Sequence, residues 1–180
     1  MNILAIGVAG LQGCHVFPCR PYCLFRDDFL EAPYCKPSFR LDGFFGQLPK
    51  DFSYAVEIRN TGLLGPAYRK VLETHGVAHV YNHWSYMPSL GEQHTRMGNF
   101  TAPFTVLRLL TPLKISYEAA KKRAEPYTKI VGELPEMRRD TVELVRRAVA
   151  ENRRAYVLVN NRSEGNAPLT VQELSDMLRG

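Results

Sequence analysis

Residues 52–60 read Phe52-Ser53-Tyr54-Ala55-Val56-Glu57-Ile58-Arg59-Asn60. Side chains alternate across a β-strand, so Tyr54, Val56 and Ile58 fall on one face and Ala55, Glu57 and Arg59 on the other. The first set suits packing under helices. The second runs from small to charged, and it has to point into a crevice or toward a barrel axis. Three more runs of this kind follow, at Val77–Asn82, Phe104–Leu110 and Ala155–Asn160. All are short and mostly apolar, as strands buried in a parallel sheet are.

Helical patterns lie between them. Leu41, Phe44, Phe45 and Leu48 stand at i, i+3, i+4 and i+7, which predicts a short helix over Leu41–Leu48 that Pro49 ends. Pro66–Thr74 has proline in its first turn and Gly76 just past its end. A loop of polar and aromatic residues is expected from His83 to Pro103. Ser116 caps a helix running to about Val131, with Pro126 as a kink or break. Another helix is predicted over Arg138–Asn152, with Val142, Val145 and Val149 along one side. Thr170 is read as the cap of a last helix over Val171–Leu178. Strands alternating with helices argue for βα units, a parallel sheet and right-handed crossovers that carry the helices outside.

Residues 1–37 are different. Cysteine, proline and aromatic residues mix there without clean periodicity, and Pro18, Pro21, Pro33 and Pro37 forbid long regular elements. Only Ile3–Val8 reads as a short buried strand, and Phe25–Leu30 as one helical turn. Cys14, Cys19, Cys23 and Cys35 lack the close C-x2-C pairs of structural zinc sites, so free thiols are expected and no metal. The chain therefore divides into an irregular segment, 1–37, and a regular domain, 38–180.

The 180 residues are 45% hydrophobic and 23% charged, enough to bury a core and too apolar for disorder along most of the chain. No apolar run is long enough to cross a membrane. The apolar start has no basic residue before it, as a secretory signal requires, so a cytoplasmic protein is expected. The net charge is +5. Arg138, Arg139, Arg146, Arg147, Arg153 and Arg154 crowd one segment. They are read as a solvated helix face, and no aromatic residues interleave with them to stack bases, so nucleic acid is not an expected partner.

Parallel βα folds bind ligands at the C-terminal ends of their strands. That rule selects Glu57, Arg59 and Asn60 at the end of the first strand, Tyr81, Asn82 and His83 at the end of the second, Arg108 on the third, and Asn160, Asn161 and Arg162 after the fourth. Arg108 is an unusual charge in the strand Phe104-Thr105-Val106-Leu107-Arg108-Leu109. A buried charge is costly unless paired. Either Glu57 is a structural counter-ion for Arg59 or Arg108, or the spare guanidinium receives an anionic or hydroxyl-rich ligand. His83 is a candidate general acid or base, with a solvent-facing loop histidine as the alternative. No Walker, GxGxxG or GxSxG motif is present, so no cofactor is named.

At these residues the chain resembles a known family. Leu48–Asn60, Val106-Leu107-Arg108, Tyr156-Val157-Leu158-Val159-Asn160-Asn161 and Gly165-Asn166-Ala167 are similar to the motifs of the YecE-like proteins, the domain-of-unknown-function family 72, over about residues 38–180. The resemblance implies an α/β, TIM-barrel-like fold, with the four strands as the last four of eight. It makes Glu57, Arg59, Arg108, Asn160 and Asn161 the positions that match the family's polar residues. Ile3–Gly13 is similar to the family's opening strand, which would leave intermediate strands missing, since a whole barrel takes roughly 200–250 residues or more. His83 stands where the family has an aspartate. The resulting expectation is a partial (β/α)8 barrel with about four parallel strands plus an N-terminal one. Glu57 and His83 are its candidate catalytic groups. Arg59, Arg108, Asn160 and Asn161 are its candidate contacts to a small polar or anionic ligand. An open sheet exposes strand edges, so a homodimer, a capping partner or a truncated, non-catalytic fragment are the rival expectations.

Overall fold

Parallel strands need long crossovers, and a helix returning over the sheet is the usual form. In a computed structural model, which describes residues 5–8, 22–26 and 37–180 with side chains from Leu41 onward, the chain repeats this unit. The strands are β1 (Ala5–Val8), β2 (Tyr22–Arg26), β3 (Ser53–Glu57), β4 (Ala78–His83), β5 (Phe104–Leu109) and β6 (Arg154–Val159). The helices are α1 (Pro37–Gln47), α2 (Pro66–His75), α3 (Leu90–Met97), α4 (Tyr117–Ala124), α5 (Pro135–Ala150), α6 (Asn161–Glu164) and α7 (Ala167–Arg179).

The strands form one sheet in the order β1-β6-β5-β4-β3-β2, and every pairing is parallel. Read around the sheet, this is chain order, with the last strand returning to the first. It lacks the reversal that marks a doubly wound sheet. The helices pack on one face. Leu41 and Phe45 of α1 and Tyr68 and Leu72 of α2 meet Val56 and Ile58. Leu144, Val145 and Ala148 of α5 and Leu174 of α7 meet Leu107, Leu109, Val157 and Val159. The other face holds a separate cluster of Ala55, Ala78, Val80, Phe104 and Val106, with Tyr156 and Leu158 beside it. A singly wound parallel sheet with helices on one face and apolar side chains on the other is a partial TIM-barrel-like fold.

β3 to β6 stand where the four strands are predicted, and β1 falls within Ile3–Val8. β2 is an addition. Phe25 and Arg26, read as the start of a helical turn, lie in that strand opposite Val56 and Glu57. A five-residue strand fits the short gap that follows Pro21. Residues 9–21 and 27–36, and the side chains of all four cysteines, lie outside what the structure describes, and so does the free-thiol reading.

Local differences have local causes. The stretch expected as a loop contains α3, whose Ser89 hydroxyl accepts from the Glu92 N–H at 3.2 Å, an N-terminal cap. Pro126 ends α4, which stops at Ala124. The cap of α7 is Asn166, which accepts from Leu169 N–H, and Thr170 lies inside the helix. Val149 is exposed, not buried beside Val142 and Val145. Among the described residues no helix is long and apolar enough to cross a membrane.

The helix-covered face of β4 holds an unusual polar layer. The His79 Nδ1 lies 3.2 Å from the Tyr68 hydroxyl, and the His94 Nδ1 lies 2.8 Å from the Tyr81 hydroxyl. Burial pushes His79 down to about 3, with Gln93 and His94 as smaller influences. Burial lowers His83 and His94 as well. Between the folded value of His79 and the ordinary 6.5, the unfolded chain binds a proton that the folded chain refuses. Stability is therefore expected to fall as pH drops from about 6.5 toward 3, by roughly 1 kcal/mol per pH unit for this one group. Urea unfolding at a series of pH values measures that slope. His79→Gln should flatten it, and a slope unchanged by this substitution would exclude His79 as its source.

Candidate functional site

β3 ends with Glu57, which has no solvent exposure. Its carboxylate is met from two directions. Arg59, two residues on and on the same face, donates from Nε to Oε1 at 3.0 Å. Arg108, on β5, donates from Nη1 to Oε2. The register explains how Arg108 reaches across β4. Val80 pairs with Val106 and Asn82 with Arg108, so Arg108 stands one layer above Val80 and extends over it to Glu57. The small lining residues Ala78 and Val80 leave that path open. Arg59 also lies over the Trp84 ring, its guanidinium carbon 4.7 Å from the ring centre, a cation–π contact.

Two guanidinium groups thus share one carboxylate. The Glu57 side chain is fully enclosed, while those of Arg59 and Arg108 are 20% and 19% exposed. Among the described residues the cluster brings two guanidinium groups to one carboxylate, and its accessible part is the guanidinium part.

Asn82 sits beside it. β3 and β4 pair at Ala55–Ala78 and Val56–His79, whereas β4 stays paired with β5 as far as His83. Beyond Val56 the polar backbone of β4 needs other partners. Gln93 of α3 supplies them: its Oε1 accepts from Asn82 N–H at 3.3 Å and its Nε2 donates to Asn82 C=O at 2.8 Å. The Asn82 side chain donates from Nδ2 to Ile58 C=O at 2.7 Å, closing the same gap from the other side. Its Oδ1 is buried with no hydrogen-bond partner among the described residues.

The other predicted residues are placed differently. The Asn160 Oδ1 accepts from Arg162 N–H at 3.0 Å and caps α6, and the Asn161 Oδ1 accepts from Ala167 N–H at 2.9 Å. Both carbonyl oxygens shape their own turn. His83 belongs to the opposite face of β4 from Asn82, under the helices. It is buried, and its Nδ1 lies 2.9 Å from the Thr111 carbonyl. The structure therefore unites Glu57, Arg59 and Arg108 and sets His83 apart from them. Among the described residues no group of three His, Cys, Asp or Glu is placed to hold a metal.

Two features go beyond what the sequence shows. Gln93 shapes the mouth beside Asn82, and it is carried by α3, which lies in the stretch expected to be a loop. Arg138, counted there with a solvated face, is buried. Its guanidinium spans both oxygens of Glu164, Nε to Oε1 at 3.0 Å and Nη2 to Oε2 at 3.0 Å. Glu164 also accepts from Leu134 N–H at 2.6 Å and the Thr170 hydroxyl at 2.8 Å, locking α5, α6 and α7 together.

A family model described as "Protein of unknown function DUF72" matches residues 29–180. No curated protein matches the chain. A DUF72 family protein of Thermotoga maritima has a similar structure, with TM-score 0.57 and 20% identity over 88% of this chain and 57% of that one. A DUF72 family protein of Enterococcus faecalis gives TM-score 0.60 and 16% identity over 88% of this chain and 58% of that one. The chain thus spans less than three-fifths of the length of either structure.

The role of Gln93 is directly testable. Gln93→Leu keeps the volume and strands both backbone groups of Asn82, which should lower unfolding free energy by about 3 kcal/mol. Urea denaturation measures it; a loss under about 0.5 kcal/mol, the range of ordinary surface changes, would contradict this account of the strand gap.

Proposed function

The chain belongs to the DUF72 family, and from that premise we propose that the mouth of its sheet binds a small polar anion through Arg59 and Arg108. The observation that carries the reading is Arg108, whose guanidinium is 19% exposed and among the described residues is paired only with the enclosed carboxylate of Glu57. Arginine presents a planar fork of donors suited to carboxylate or phosphate oxygens. Glu57 holds one edge of the Arg108 fork and leaves the remainder of that fork to a ligand, so its role here is orientation. Asn82, in register with Arg108 and with an unpartnered Oδ1, supplies an acceptor for a ligand hydroxyl. Phosphate esters and sugar acids combine these features. Asn160 and Asn161 act by holding the turn beside the mouth.

A second reading rests on the sheet's ends. Among the described residues β1 and β2 are each paired on one side only, and an unpaired strand edge accepts another strand. A second copy of this chain or a capping partner would complete the sheet. Sedimentation of the purified chain decides between a monomer and a dimer.

For the anion reading, thermal unfolding in millimolar phosphate, sulfate and a panel of sugar acids is the test. A ligand present at about a hundred times its Kd adds about 2.7 kcal/mol, a rise of about 5–10 °C for a chain of this size. Arg108→Gln should abolish the rise. A panel that leaves the wild-type transition unmoved would overturn the proposal.

A further inference from the structure

A cavity of about 580 Å³ adjoins the opposite face of β4 beside the end of the strand, walled by His83, the loop after β5, the end of α4 and the start of α5. It shares none of its lining with the Glu57 cluster. Its size is that of a small-molecule site.

Three groups of this wall lack partners. His83 is the first. The Thr111 carbonyl can only accept, so the Nδ1 facing it at 2.9 Å carries the proton, and Nε2 keeps its lone pair. Burial holds the ring below its ordinary value, so it is neutral near pH 7. Only 4% of His83 is exposed, and Nε2 has no protein partner among the described residues.

The start of α5 is the second. The first amides of a helix have no acceptor within it. Leu134 N–H is taken by Glu164, Pro135 has none, and no side chain caps the helix. The N–H groups of Glu136 and Met137, both lining the cavity, are left at the positive end of a sixteen-residue helix.

The third is a balanced set of charges. Arg123, Arg139, Glu133 and Glu136 all line the cavity, and none forms an ion pair with a described residue. Arg123 lies against Gly132 so closely that a Cβ there would sit on its guanidinium. Leu113, Ile115 and Met137 provide an apolar wall.

We propose that this cavity binds a free α-amino acid with an apolar side chain. The carboxylate sits at the first amide N–H groups of α5 beside Arg139 and Arg123. The ammonium group donates to the His83 Nε2 and to Glu133 or Glu136. The side chain lies on Leu113, Ile115 and Met137. A simple anion would leave two carboxylates and the imidazole acceptor unanswered, and a simple amine would leave the arginines and helix amides so.

The test titrates the full chain with L-leucine, L-methionine and L-phenylalanine, read by calorimetry and thermal shift. Beside them go the des-amino and des-carboxy analogues of leucine. Arg139→Ala and Glu136→Gln alter exposed side chains, so the fold is retained. Expected are binding of the amino acids, at least tenfold weaker binding of both analogues, and at least tenfold weaker leucine binding to Arg139→Ala. Arg108→Gln, in the other site, should leave leucine binding unchanged, so the two proposals fail separately. No binding at millimolar concentration would overturn the inference. So would binding that survives both Arg139→Ala and Glu136→Gln, or equal binding of the des-amino analogue.

Discussion

A carboxylate shut away from water has to find positive charge, because its desolvation costs several kcal/mol. Glu57 is such a group, and it finds two, from Arg59 on its own strand and from Arg108 on β5. The arrangement ties β3 to β5 over the intervening β4 and so fixes the upper edge of three strands. It also determines which charge faces outward. The carboxylate is spent inside the cluster, and the exposed surface belongs to the guanidinium groups.

The same economy of faces governs β4. Its side chains alternate, so Asn82 serves the mouth while its neighbour His83 serves the helix side. Sites on the two faces of one strand can differ in chemistry because the sheet separates them. The mouth is dominated by arginine. The second cavity is balanced in charge and walled in part by apolar residues. Gln93 serves the mouth by satisfying the backbone of Asn82 where β3 no longer can.

Much of this was readable in the chain. Apolar runs bounded by turn residues identify β3 to β6, because a strand buried on both faces needs little polar alternation. Alternation also set Ala55, Glu57 and Arg59 on one face, and both candidate partners of Glu57 were named. What escaped was set by distant contacts. Arg138 resembles its exposed arginine neighbours until Glu164, 26 positions away, arrives beside it. β2 is a short strand with no periodic signature between prolines. α3 carried a local signal, Ser89 three residues before Glu92, but Gly91 and its polar residues weakened the helical pattern. His83 was placed in an open loop because its burial comes from the segment after β5. For Asn160 and Asn161, polarity after a strand does not distinguish a ligand contact from a turn contact; the Asn160 Oδ1 caps α6 and the Asn161 Oδ1 holds Ala167 N–H.

The account stands on the pairing of Glu57 with Arg108. A double-mutant cycle over Glu57→Gln and Arg108→Met, followed by urea unfolding, isolates that pair. A coupling free energy of about 1 kcal/mol or more is the predicted result. Effects that add to within about 0.5 kcal/mol would mean that the two groups do not interact, and would contradict it.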